Sequence, residues 1–349
     1  GGEGPGIPIS NPRSKPKVCV LTTDERYLIV GNTGTQDLSI VDTKLGREVA
    51  GISLQNVVND VKIYHSEETG HDYLMVTTEG IGFGVGKERD PYAGECWDEE
   101  NPAAQFSVWR DLETAKVLPK EEQVILGPFD AVDGTAEIKF RDIQNDLLFI
   151  DLDLLDIPEN PPANELEYIL LTNRYESHRG WVRYTSDTAE STYGDIKGDI
   201  APDLMRVVGA LPERMVMVDD HVFVTMQGSN QVQELLINPT ASDPSDYLVP
   251  LNLYPTGLQP VGIAKGPEGT PAEVKVYVAS FLGGSLTIID PAAGTTRDVI
   301  IDPSVKEIPV PATNAERGEI FAHTAVLSSD GDTACFHCHY LDMGDGRPW

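Results

Sequence analysis

One stretch of this chain, Cys335-Phe336-His337-Cys338-His339, has residue types and spacing that spell out a chemistry. In C-x-x-C-H the two thiols can add across the vinyl groups of haem, and the adjoining His can rise beneath the iron as its proximal ligand. The spacing is demanding because the vinyls are fixed on the porphyrin rim. Cys335, Cys338 and His339 are therefore the candidate haem-binding residues, with His339 on the iron. Cys335, His337, Cys338 and His339 are also all zinc-type ligands, so a zinc half-site is the alternative. No second Cys/His pair follows at finger spacing.

Other chemistry-bearing residues are sparser. His323 is a candidate distal ligand, as are His178 and His221 if the rest of the chain packs on the haem. Each reads more readily as an ordinary surface or core histidine. Met343, four residues beyond His339, would fall on the wrong side of the ring. Cys19 and Cys96 could pair as a disulfide in an oxidising compartment, or stand as two separate thiols. Asp151, Asp153, Asp156 and Glu159 resemble a Ca²⁺ loop in charge alone, since the mid-loop Gly and terminal Glu are missing. Asp195, Asp199 and Asp203 could hold Ca²⁺ at a sheet edge, with a solvated acidic loop as the plainer reading. The run Gly80 to Gly86 lacks the Lys-Ser/Thr of a phosphate loop, and no nucleophile-elbow serine is present.

These residues must be positioned by elements, and the chain announces them as repeats. Tyr27 to Val30 and Leu38 to Val41 read as two strands around a polar turn, closed by Asp42 and Gly46. Val276 to Val278 and Leu286 to Ile289 repeat this with Asp290 and Gly294. The interval from Val30 to Asp42 equals that from Val278 to Asp290. A looser copy runs from Val222-Phe223-Val224 through Val232 to Ile237. Degenerate copies pair Tyr73–Val76 with Phe106–Trp109, and Tyr168–Leu171 with Trp181–Tyr184. Each unit is an antiparallel strand pair whose turn Asp and Gly make easy. One unit cannot bury both faces, whereas several set radially can.

The blades "D-x-x-Y-L-x-V-x-N … L-S-I-V-D-x-x-x-G" resemble the YVTN-type β-propeller family. The resemblance implies an all-β fold over residues 1–315, a β-propeller of six or seven blades, with seven preferred. A β-sandwich is the rival architecture. Long irregular insertions at 84–104 and 152–166 interrupt the repeats and suit docking or plain decoration.

Residues 316–349 carry Arg317-Gly318, Phe321, Leu327-Ser328, Asp330-Gly331, the C-x-x-C-H and Asp345-Gly346-Arg347. This pattern is similar to the opening of the dihaem cytochrome c peroxidase and MauG superfamily. The resemblance implies a covalent haem c, oxidant chemistry at that haem, and a second haem for electron delivery. Ten residues follow His339, too few to enclose a porphyrin. The segment is therefore expected to be an incomplete c-type cytochrome domain, completed by further chain or another subunit. Val326-Leu327-Ser328-Ser329-Asp330 echoes Val20-Leu21-Thr22-Thr23-Asp24, so the haem segment is expected to grow directly from the propeller's last turn.

Composition narrows the function classes. With 26 basic and 56 acidic residues the formal charge is −30, which repels nucleic-acid phosphates and anionic lipid. It could steer a redox partner such as a small basic cytochrome, or simply keep the surface solvated. No apolar run reaches the roughly 20 residues needed for a membrane span. Haem attachment implies export, and a periplasmic or extracellular location. The expectation is an exported c-type haem protein in redox metabolism, performing peroxidase/MauG-like oxidation with the propeller as docking platform. The alternative is a non-catalytic electron-transfer or scaffold propeller within a multihaem complex.

Overall fold

The computed structural model describes residues 15–33, 37–53, 57–81, 89–90, 108–109, 143–155, 157, 181–185, 203–205, 209–242, 246–301, 313–325 and 334–335. Strands dominate them. The first sheet holds β1 (Pro16–Leu21), β2 (Tyr27–Asn32), β3 (Asp37–Asp42) and β4 (Arg47–Ser53), paired antiparallel in chain order. The second is built on β5 (Val57–His65), β6 (Asp72–Ile81), β9 (Ile143–Asp151), β10 (Trp181–Thr185) and β11 (Asp203–Met205). Its last strand runs parallel to β10. Between β6 and β9 a small hairpin joins β7 (Arg89–Asp90) to β8 (Val108–Trp109). The third sheet comprises β12 (Pro212–Val218), β13 (His221–Met226), β14 (Gln231–Ile237) and β15 (Leu248–Pro255). The fourth comprises β16 (Pro260–Lys265), β17 (Val276–Ser280), β18 (Ser285–Asp290) and β19 (Thr295–Ile300). One helix follows, α1 (Asn314–His323).

The first strands of the four sheets pack in series, β1 on β5, β5 on β12 and β12 on β16. This is how propeller blades meet around an axis, and the strong repeats at 27–46, 222–237 and 276–294 each fall inside one sheet. Hydrogen bonds stitch the series together. Lys17 Nζ donates to Asn59 Oδ1 at 3.0 Å, and Asn59 Nδ2 donates to the Pro212 carbonyl at 2.9 Å. The Met215 amide donates to Asp60 Oδ2 at 3.0 Å.

Apolar side chains fill the spaces between sheets. Ile29, Leu38 and Ile40 of the first sheet meet Val58, Leu74 and Leu148 of the second. Met75 and Phe149 of the second meet Val222, Val224 and Leu235 of the third. Phe223, Val232 and Tyr254 then meet Val276 and Val278 of the fourth. A middle strand between two such spaces is buried on both faces, which is why Tyr73-Leu74-Met75-Val76 is a continuous apolar run. At the outer edge β19 is exposed throughout, and its Arg297 and Asp298 suit an unpaired strand edge.

One expected pairing differs. Tyr73–Val76 pairs with Leu148–Asp151, not with Phe106–Trp109. Val108-Trp109 belongs to the small hairpin instead. Trp181–Tyr184 lies beside β9 in the same sheet, and its expected partner Tyr168–Leu171 lies outside the described residues. Strands separated by long insertions are interchangeable in an apolar pattern. The choice falls to packing between neighbouring sheets. The described residues thus form four sheets of four or five strands and one two-stranded pair; the six or seven blades expected of the whole chain include stretches outside them.

Candidate functional site

Antiparallel order places two kinds of connection at opposite ends of each sheet. One end carries the turns from second to third strand, such as 227–230 and 281–284, and the starts of the first strands. The other carries the turns from first to second strand, such as 22–26, 66–71 and 219–220. Contacts across sheets keep the ends aligned. Tyr64 donates to Asp220 Oδ1 at 2.7 Å at one end, while the Gln259 amide donates to Asn230 Oδ1 at 2.8 Å at the other.

The segment leading to the C-x-x-C-H motif is anchored at the end that carries the turns from second to third strand, on the third sheet. Within α1's last turn the Thr324 amide donates to the Ile320 carbonyl, and the next amide, Ala325, donates to the Gly228 carbonyl at 3.0 Å. Gly228 itself donates to the Ala210 carbonyl at 2.9 Å. Ala325 and Ala334 are buried together with Ala210 and Leu211. Small residues are needed at this contact. A Cβ on Gly228 would lie 3.0 Å from the Ala210 Cβ and 3.1 Å from the His323 carbonyl oxygen.

Cys335 follows directly on the buried Ala334, and it is exposed with a free thiol. A sulfur that must meet a vinyl group on a porphyrin rim has to be reachable and held in place, and Cys335 satisfies both requirements. Phe336, His337, Cys338 and His339 lie outside the described residues, as does the stretch 326–333 that echoes the first blade. The expected boundary between residues 315 and 316 falls in the first turn of α1.

The other candidates separate by position. His323 ends α1 on the same side of the third sheet as Cys335 and is half-buried. His221 begins β13, and the anchor at Gly228 lies just past that strand's other end. Six residues of strand put about 17 Å between them. Moreover, His221 Nδ1 lies 2.7 Å from Glu234 Oε1, a buried carboxylate that also accepts from Asn252 at 2.8 Å and Tyr254 at 2.7 Å. Burial, together with that carboxylate, holds the Tyr254 phenol far above its ordinary range. His221 is thus a member of a sheet-internal network, at the end of β13 away from the Gly228 anchor. His178 and Met343 lie outside the described residues. Cys19 is exposed on β1 with a free thiol, and Cys96, its suggested partner, lies outside them.

Of the acidic groups, Asp156, Glu159, Asp195 and Asp199 are outside the described residues, and Asp203 opens β11. Asp151 and Asp153 converge on His71, a residue to which no sequence motif pointed. The only signal was His71-Asp72 directly ahead of the Tyr73 strand, and its meaning required knowing which strand Tyr73 pairs with.

No family model matches the chain, and no curated protein matches it. Among solved structures, hydrazine synthase of Kuenenia stuttgartiensis is similar at 14% identity, over 78% of this chain and 83% of that one, with a TM-score of 0.27. The periplasmic gluconolactonase of Pseudomonas aeruginosa is similar at 14% identity, over 82% and 70%, with a TM-score of 0.32. Dihydro-heme d1 dehydrogenase NirN is similar at 9% identity over 81% of this chain but 37% of its own length, with a TM-score of 0.38. At such values the propeller-type arrangement rests on the strand pairing described above.

Proposed function

We propose that this chain is an exported c-type haem protein of redox metabolism, in which the propeller-type sheets form the platform for a covalently attached haem. Cys335 and Cys338 would hold the porphyrin through thioether bonds, and His339 would be the proximal iron ligand. The observation that carries this reading is the placement of Cys335. It is an exposed thiol next to an alanine buried against the third sheet. The haem, when bound, supplies the redox chemistry. The chain's own residues would fix where it sits, through α1, Ala325, Ala334 and Gly228.

Peroxidase/MauG-like oxidation is the activity this platform would serve, with electrons or substrate delivered by a redox partner. The charge of −30 favours a basic partner such as a small cytochrome. The rest of the haem enclosure would come from further chain or another subunit. Such a protein matures in the periplasm or outside the cell. Among the described residues no helix is long and apolar enough to cross a membrane.

A second reading has its own observation. His323 is half-buried on the side of the sheet that holds Cys335. As a second axial ligand it would close the iron and make the protein an electron carrier or scaffold.

Expression with periplasmic haem maturation tests both. The intact chain is expected to be heavier by the mass of one haem, and Cys335→Ser with Cys338→Ser to lose it. A wild-type chain with unmodified mass would end the haem reading. With haem attached, an open or weakly held sixth position that reacts with peroxide supports oxidation. A six-coordinate low-spin spectrum that His323→Ala converts to high spin supports electron transfer instead.

A further inference from the structure

Three of the sheets end their third strand on an aspartate, and the three can be compared. Asp42 ends β3 opposite Tyr27, Asp151 ends β9 opposite Tyr73, and Asp290 ends β18. Each uses one carboxylate oxygen to cap the turn that follows. Asp42 Oδ1 accepts from the Lys44 and Leu45 amides, Asp151 Oδ1 from Asp153, and Asp290 Oδ1 from Ala293. The other oxygen of each meets a basic group placed just before the second strand. In the first sheet this is Arg26 Nε at 2.9 Å, and in the fourth it is Lys275 Nζ at 3.0 Å. In the second sheet it is His71 Nδ1, at 2.8 Å.

The permanent cation of the repeat is therefore replaced by an imidazole at one sheet only. More negative charge gathers there, not less. Asp153 Oδ2 accepts from the Asp72 amide at 2.9 Å, and Asp72 lies 2.8 Å from His65 Nδ1. Among the described residues no Lys or Arg pairs with Asp72, Asp151 or Asp153. Ligand atoms of His71, Asp151 and Asp153 all lie within 4.8 Å of one another. Asp151 is buried while Asp153 is exposed, so the group opens to solvent on one side.

We propose that His71, Asp151 and Asp153 form a binding site for a first-row divalent metal ion of the zinc class, supplying the charge that Arg26 and Lys275 supply elsewhere. An imidazole with two carboxylates suits such an ion, whereas Ca²⁺ takes an all-oxygen shell. The exposed side leaves room for water to complete the coordination. Asp72, bonded to Asp153 through its amide and to Thr23 through its carboxylate, ties the site to the neighbouring sheet. Metal binding would therefore brace the contact between the first two sheets.

The test uses the full chain carrying Cys335→Ser and Cys338→Ser, which removes the thiols of the haem motif as competing zinc ligands. After chelator treatment it is dialysed against micromolar Zn²⁺ and its metal content and melting temperature are measured. Zinc is expected to bind and to raise the melting temperature, since a ligand that binds only the folded state stabilises it. His71→Ala and, separately, the exposed Asp153→Asn should weaken binding by about tenfold or more. Unchanged far-UV circular dichroism certifies that each variant is folded. Zinc uptake unaltered by both variants, a rise with Ca²⁺ alone, or no uptake once the two thiols are removed would each overturn the site.

Discussion

Asp42 shows how much one side chain can do at the end of a strand. Burial pushes its carboxyl up, but the Leu45 amide, Arg26 and the Lys44 amide more than compensate and hold it below the usual carboxylate range. Asp290 is held low in the same direction by Lys275 and the Ala293 amide. A carboxyl with a depressed folded pKa stabilises the protein above its unfolded value of about 3.9 and loses that contribution as pH falls through the folded value. Replacing Asp42 by Ala, which removes three hydrogen bonds and exposes turn amides, should cost about 2 kcal/mol at neutral pH in a denaturant titration. Repeated at progressively lower pH, the gap between wild type and Asp42→Asn should close below pH about 4. A gap independent of pH would mean that shape, not charge, is what the position supplies. The spacing from Val30 to Asp42 and from Val278 to Asp290 made these two residues legible as a pair before any coordinates. Their basic partners were not, because Arg26 lies 16 residues before Asp42 and Lys275 15 before Asp290, out of step with the repeat.

At the scale of elements, the contact between α1 and the turn after β13 lies beside Cys335, the first residue of the C-x-x-C-H motif. The contact is made of backbone and small side chains, so its strength lies in close approach. Gly228→Val would drive side-chain atoms against Ala210 and the His323 carbonyl, and α1 would have to move off. Hydrogen–deuterium exchange is expected to quicken at Ala325 and the last turn of α1 while β13 and β14 stay protected. Equal loss of protection in β13 would show that the turn serves the sheet and not the helix. Sequence similarity to a known haem-domain opening marked Arg317-Gly318 and Phe321, but nothing in those residues says what they pack on. Phe321 is in fact exposed, and the burial is done by Ala325 and Ala334. Small residues carry no periodic signal, so this anchor could not be read from pattern.

At the scale of the molecule, sheet-on-sheet packing repeats three times among the described residues, and the proposed function rests on what the charge and the platform would attract. Phe149 is buried in the space between the second and third sheets, its ring centroid 4.8 Å from that of Tyr73. Phe149→Ala should cost about 3–5 kcal/mol, read as a shift in the denaturation midpoint. Because neighbouring sheets share each space, the loss should appear as one transition reported alike by strands of both sheets. Two resolved transitions would mean the sheets unfold independently. The net charge of −30 acts at longer range. Binding of a basic cytochrome, the proposed partner, should weaken on the order of tenfold as salt rises from about 0.05 to 0.5 M, since the screening length shrinks over that range. Salt-independent binding would place the partner on an uncharged surface.

Local patterns were legible in the amino-acid sequence alone. The C-x-x-C-H spacing names the candidate haem residues, and apolar runs, with Asp and Gly at fixed intervals in the first and fourth sheets, give middle strands of the first, third and fourth sheets. Both depend on interactions a few residues long, which a linear pattern records. Tertiary structure decided which strand completes the second sheet, since the stretch between Ile81 and Ile143 hides the partner of Tyr73. It also decided which histidine stands beside which aspartate, and on which edge Cys335 is held. Those outcomes depend on apolar faces closing against one another across distant parts of the chain. The free energy of that closure belongs to the assembled sheets and to no single segment.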